Sequence, residues 1–244
     1  TYTVGSTGVQ TTTITDPKGN VTVEQYQYGL RLAVTKGYGT PAAATWQYRY
    51  DPATLGITSI TDPNNNVTTM TYDANANLLN RTDPLSRTTS YAYDALNDTT
   101  AITDPLGVTT VMTYDASGNL LQTARPLTQT GQTALTTYIY DPAHPGDVIA
   151  VTDPNTHTAH FAYDPVYGNR IRASDPLSDT TIYTYDLIGR MTAVVSPKGN
   201  VSGANPISYT TTMTYDAFGD TTAITDPLGH ATFSGYDANR NLLY

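Results

Sequence analysis

The sequence predicts an all-β protein: a repeat array of strand-turn-strand units forming one spiralling antiparallel sheet. Three observations carry this expectation. A Tyr-Asp pair recurs nine times at intervals of 21 to 30 residues. An Asp-Pro pair alternates with it. Thr supplies about one residue in five and there are 20 Tyr, and β-branched and aromatic side chains fit a pleated, half-buried surface. A fixed period of this length is the signature of a repeat architecture, in which one unit cannot bury its own face but stacked units can.

The Tyr-Asp marks are Tyr50-Asp51, Tyr72-Asp73, Tyr93-Asp94, Tyr114-Asp115, Tyr140-Asp141, Tyr163-Asp164, Tyr185-Asp186, Tyr215-Asp216 and Tyr236-Asp237, with a degenerate copy at Tyr26-Gln27. The Asp-Pro marks are Asp16-Pro17, Asp62-Pro63, Asp83-Pro84, Asp104-Pro105, Asp153-Pro154, Asp175-Pro176 and Asp226-Pro227, each Asp lying 10 residues before its Tyr. Arg125-Pro126 and Ser196-Pro197 occupy the same slot in two further copies. Longer spacings come from insertions after the Pro, at 127–134 and 202–207. The count is about ten repeats in a single array over residues 1–244.

Each mark reads as a turn. In Asp115-Ala116-Ser117-Gly118-Asn119 the Asp can bond nearby backbone, and Gly or Asn tolerates positive φ. In Asp104-Pro105-Leu106-Gly107 the Pro fixes φ at the second turn position and cannot continue a central strand. Between the turns lie segments of strand length.

Alternation assigns the faces. Two residues before the repeat tyrosines stand Tyr48, Met70, Tyr91, Met112, Tyr138, Phe161, Tyr183 and Met213, on the same face as the Tyr. Trp46 extends this row, so an aromatic ladder is expected as the core. The other face carries mainly small and hydroxyl residues, such as Thr71, Ala92, Thr113 and Thr184. In the second strand of the repeat, Ile60, Ile102, Val151, Val194 and Ile224 share one apolar slot. Twenty strands at about 4.8 Å each make a sheet about 95 Å wide, too wide to stay flat, so it must coil or close.

Composition excludes several classes. The net charge is -9, with 12 Lys+Arg against 21 Asp+Glu, which argues against nucleic acid and anionic membrane surfaces. No apolar run reaches the length of a membrane span. Cysteine is absent, removing disulfides and thiolate chemistry. The first residue is Thr1 rather than Met, so the chain is expected to be a piece of a longer protein. Both sheet edges are expected to be open and therefore able to accept further strands.

No residue set arranges itself as a catalytic or cofactor site. His157 and His160, three apart on an expected strand, would fall on opposite faces and are not assigned as a metal pair. His144 and His230 read as turn residues. The runs from Asp62, Asp73 and Asp237, each with Asn two and four positions on, echo the start of a calcium loop. They lack its Gly and its bidentate Glu, so calcium is only a remote candidate. Sequons at Asn20, Asn66, Asn80, Asn97 and Asn200 are candidate glycosylation sites. Exposed tyrosines are candidates for glycan stacking, weighed against the simpler role of a core ladder.

The alternation of Tyr-Asp-x-x-Gly/Asn-Asn/Arg-Leu with Thr-Asp-Pro-Leu-Gly, as in Tyr72 to Leu79 and Thr103 to Gly107, resembles the Rhs/YD-repeat family. The resemblance runs from about Thr11 to Tyr244. That family includes polymorphic toxins, shell components of insecticidal toxin complexes, wall-associated proteins and teneurins. It implies a spiralling sheet that can close into a hollow shell, β-solenoid or tube. The family's self-cleaving boundary contains an Asp-Pro-x-Gly stretch, but Asp226-Pro227-Leu228-Gly229 is followed by an ordinary repeat and reads as a turn. The expected function is therefore a non-catalytic structural scaffold of a secreted or cell-surface protein, forming a shell wall or an extracellular fibre. The alternatives are a glycan- or receptor-binding surface, or the shell portion of a toxin whose active domain lies elsewhere. The expected partners are other copies or further repeats joining the sheet edges.

Overall fold

The computed structural model describes residues 2–4 and 8–244. Among these the chain forms 21 strands and two short 3-10 turns, Pro197–Gly199 and Pro206–Tyr209. The strands gather into two compact units, one of residues 1–112 with 128–131, the other of 113–127 with 132–244. In the first, the ten strands from Tyr2–Val4 to Thr99–Thr103 each pair antiparallel with the next in sequence, and the last also pairs with the start of Thr109–Tyr114. In the second, the ten strands from Leu120–Pro126 to Ala231–Phe233 follow the same rule. The all-β array of strand-turn-strand units is thus as the sequence predicts. Short Asp-headed loops join neighbours directly, and only antiparallel strands can be joined that way.

The two kinds of turn share one hydrogen-bonded geometry. In the Asp104 turn the Asp N–H donates to the Val108 carbonyl at 3.0 Å and the Gly107 N–H donates to the Asp104 carbonyl at 2.9 Å. The Asp104 Oδ1 accepts from the N–H of Leu106 and of Val108 at 2.9 and 3.0 Å. The Asp115 turn repeats this pattern, with Oδ1 accepting from Ser117 and Asn119 at 2.8 and 2.9 Å. The second turn position needs no N–H, so Pro and Ala serve equally well there. The fourth must take positive φ, which Gly107 and Gly118 adopt without strain.

Thr156 occupies that fourth position at φ 69°, where a β-branched residue is unfavourable. Thr156→Gly is expected to raise stability by about 0.5–1 kcal/mol, the relief of left-handed strain exceeding the entropy cost of Gly. Urea denaturation of the intact chain measures it. A less stable variant would show that the Thr156 hydroxyl bond to the Asn155 carbonyl, 2.6 Å, outweighs the strain.

A second feature of the hairpins was not expected. Each Tyr-Asp hairpin whose register is defined carries a bulge at its tyrosine. Register shifts fall between Arg49 and Tyr50, Thr71 and Tyr72, Ile139 and Tyr140, Ala162 and Tyr163, Thr184 and Tyr185, and Thr214 and Tyr215. The Tyr93 hairpin shows the same step, Tyr93 facing Thr99 and Ala92 facing Ala101, so in all seven the extra residue lies on the strand opposite the tyrosine. The Asp-Pro hairpins, and the Ser196-Pro197 hairpin in the same slot, carry no shift. A bulge bends one strand and re-aims the side chain at its edge.

The units have almost no buried interior. Val23, Val34 and Ala150 are the buried hydrophobic residues, and no side chain is fully buried among the described residues. The accessible surface is 15847 Å², where a compact protein of 26.3 kDa would show about 10,600 Å². The aromatic ladder expected as the core is therefore half-buried, because no second layer covers it within either unit. Its face is nonetheless the one predicted: in Val67–Tyr72 Met70 and Tyr72 are less exposed than Thr69 and Thr71. The register sets Tyr48 opposite Ile60, Tyr91 opposite Ile102, Tyr138 opposite Val151, Tyr183 opposite Val194 and Met213 opposite Ile224.

Candidate functional site

The repeat signature is a hydrogen-bonding device. Eight Tyr-Asp tyrosines donate their hydroxyl to a backbone carbonyl at the start of the strand preceding their own, at 2.6 to 3.1 Å. Tyr72 reaches the Ile57 carbonyl, Tyr93 the Leu78 carbonyl, Tyr140 the Leu120 carbonyl and Tyr163 the Val148 carbonyl. Tyr114 is also partnered. Leu78 is the residue that faces Tyr72 across its bulge, so the Tyr93 hydroxyl lands beside the previous tyrosine. Each Tyr thereby fastens one repeat to the one before. Burial raises the phenol pKa of Tyr93 and Tyr140. The degenerate copy departs as its sequence suggests: Tyr26 donates to the Glu24 carboxylate at 2.7 Å, which raises its pKa.

The rings of the ladder carry cations. Arg31 stands 4.9 Å from the Tyr48 ring centre, Lys36 5.5 Å from Trp46, and Arg190 4.8 Å from Tyr215. Arg170 lies 5.6 Å from Phe161 and 5.3 Å from Tyr183, bridging two repeats. Such contacts are favourable and also cover apolar ring surface that no second layer shields.

The aspartates hold the turns through their carboxyl oxygens. The Asn77 side-chain amide, then its backbone N–H, keeps the Asp73 carboxyl below its ordinary pKa. The same order applies to Asp16, Asp62, Asp115 and Asp237 with the Asn four residues on. For Asp51 the Thr54 backbone N–H leads. Neighbouring Tyr-Asp turns also join laterally. The Asn97 Oδ1 accepts from Asn75 and Asn77 at 3.1 and 2.7 Å. Arg190 donates to the Asp216 carbonyl at 3.0 Å, and Arg240 clasps both Asp220 oxygens at 2.9 and 2.7 Å.

The calcium-like runs are accounted for by these bonds: in Asp62-x-Asn64-x-Asn66 the two Asn bring N–H donors to the carboxylate, not ligand oxygens. No group of three His, Asp or Glu suited to a metal occurs among the described residues. One expectation needs correction. His157 precedes the strand Thr158–Tyr163 and belongs to the Asp153 turn, its Nδ1 3.2 Å from Asp153 Oδ2. Strand alternation therefore does not govern it, and it borders the same cavity of about 610 Å³ as His160. His230 and His144 sit in turns, 2.9 and 3.5 Å from Asp226 and Asp141.

Among the sequons, Asn20, Asn66, Asn80 and Asn200 each donate the Nδ2 that a glycan would occupy, to Asp16, Asp62, Thr71 and the Thr180 carbonyl. Asn97 instead uses Oδ1 as an acceptor and is exposed. Sequence reasoning missed Thr40-Pro41, which stands 10 residues before Tyr50 in the Asp-Pro slot. Thr40 Oγ1 accepts from the Ala42 N–H at 3.3 Å, as an Asp would. The spacing rule alone could have found it.

A family model described as RHS Repeat matches residues 75–109, 93–130, 166–201 and 215–243. No curated protein matches the chain. The chain is similar in fold to the crystal structure of TcdB2-TccC3 without its hypervariable C-terminal region, at 16% identity and a TM-score of 0.62, over 99% of this chain and 17% of that one. The Photorhabdus luminescens Tc holotoxin pore, with a substitution in TccC3, gives 14% identity and a TM-score of 0.61 over 99% and 16%. The crystal structure of TcdB2-TccC3 gives 16% and 0.60 over 99% and 18%. This chain spans about one sixth of the length of these structures. No helix among the described residues is long and apolar enough to cross a membrane.

Proposed function

We propose that this chain, which belongs to the RHS-repeat family, is a non-catalytic structural scaffold of a secreted or cell-surface protein, its sheet forming part of the wall of an encapsulating shell or fibre. One observation carries the reading. The chemically distinctive residues of the repeat are engaged in building the sheet: tyrosine hydroxyls bind strand carbonyls and aspartates bind turn N–H groups. What remains is two broad, half-covered faces suited to enclosing or contacting something large. The likeness to Tc holotoxin structures favours the wall of a shell, with any toxic activity residing outside this chain.

A wall grows by adding strands to its edge. Ala231–Phe233 pairs inward with Thr221–Thr225, and Phe233 is 66% exposed. Beyond it the chain turns back, the Gly235 N–H donating to the Tyr244 carbonyl at 3.1 Å and the Leu243 N–H to the Gly235 carbonyl at 2.7 Å, and a strand added beside this hairpin would extend the sheet. Sedimentation of the purified chain at rising concentration is expected to show association, and Phe233→Lys, a charge on the edge, is expected to reduce it. Single copies at every concentration, or association indifferent to Phe233→Lys, would refute growth through this edge.

A further inference from the structure

The small-residue face of the first unit carries a concave site. The loop of residues 37–43 replaces an Asp-Pro turn, with Gly37 and Gly39 at positive φ and the Tyr38 N–H bonded to the Val21 carbonyl at 3.0 Å. It brings an aromatic ring, 56% exposed, to a cavity of about 300 Å³. The floor is Ala33, whose register partners are Gln25 on one side and Gln47 on the other. Two strand spacings therefore separate the two Gln backbones, about 10 Å. The small Ala between them leaves the gap. Thr35 and Thr45, hydroxyl to hydroxyl at 2.9 Å, also line the cavity. Leu32 and Arg49 line it as well.

This lining selects by chemistry. It contains no carboxylate, imidazole or Lys, so it offers a metal ion only neutral oxygens. Arg49 is its single cation, too little for a phosphorylated ligand in a chain of net charge -9. The exposed amides and guanidinium oppose a wholly apolar guest. Side-chain amides and hydroxyls each both donate and accept, as sugar hydroxyls do. The Tyr ring and the Ala and Leu side chains offer apolar surface to the C–H face of a pyranose. The volume lies at the lower end of ligand sites. The geometry points to a binding site for a neutral saccharide of one or two rings, centred on Tyr38, Gln25 and Gln47. It requires only the first unit and is independent of the scaffold reading.

The test is isothermal titration, with saturation-transfer NMR, of the intact chain against lactose, maltose, cellobiose and N,N′-diacetylchitobiose. At least one is expected to bind with a Kd on the order of 1 mM. Tyr38→Ala and Gln47→Ala are expected to weaken it roughly tenfold each, or about 1.4 kcal/mol, while Tyr38→Phe keeps it within about threefold. Tyr28→Ala, at a turn position 91% exposed, serves as the control and should leave it unchanged. Circular dichroism checks that each variant folds. Lack of binding by all four sugars overturns the site, as does binding that survives a folded Gln47→Ala or Tyr38→Ala.

Discussion

Tyr93→Ala is expected to destabilise the chain by about 2–4 kcal/mol, and Tyr93→Phe by about 1 kcal/mol. The two substitutions separate the ring from the hydroxyl. The ring is half-buried, so its loss should fall at or below the range found for fully buried aromatic truncations. The hydroxyl donates to the Leu78 carbonyl at 2.9 Å in a site dry enough to raise the phenol pKa. One such bond is worth about 1 kcal/mol net. Because the bond joins adjacent repeats, its loss acts on the coupling between neighbours. The unfolding transition of Tyr93→Ala should therefore broaden or split as well as shift. Urea denaturation followed by circular dichroism reads both effects. If Tyr93→Phe is indistinguishable from the parent and Tyr93→Ala behaves like an ordinary surface change, the tyrosine is not the fastener described above.

Acidification should unfold the chain through its turns. Twelve aspartates have pKa values lowered in the folded state: 16, 51, 62, 73, 83, 115, 141, 153, 186, 220, 226 and 237. A folded value below the unfolded value of about 3.9 means the unfolded chain takes up protons first as pH falls. The stability these groups contribute is present above about pH 4 and is lost progressively below it. Eleven of the twelve are half-buried rather than enclosed, and the repeats multiply what each contributes. The melting temperature should stay level between about pH 5 and 8 and drop steeply toward pH 3. Salt discriminates the cause. The leading partners of Asp16, Asp51, Asp62, Asp73, Asp115 and Asp237 are neutral N–H or hydroxyl donors, not cations. Most of the acid loss should therefore persist in about 1 M NaCl, where surface ion pairs are screened. Equal melting temperatures at pH 3 and pH 7 would refute this account.

Much of this architecture was legible from residues alone. The Tyr-Asp and Asp-Pro marks placed the turns, because Asp and Gly state their turn roles locally. The i, i+2 rows assigned the faces, since a strand alternates strictly; Tyr91 and Ile102 do meet across one register. The placement of His157 on a strand was misjudged because a one-residue difference in where a strand begins removes the alternation on which it rested.

By itself the sequence determined an all-β chain of hairpins, the position of nearly every turn, and which face carries the rings. All of these depend on interactions within a few residues. The tertiary structure alone decided where each tyrosine hydroxyl goes, since donor and acceptor usually stand 15 residues apart and meet only once the strands have paired in register. It also decided that the ladder stays half-open and that a loop tyrosine shares a cavity with two glutamines. Such features follow from strand register and from the absence of a covering layer. Neither is written in the order of residues along one strand.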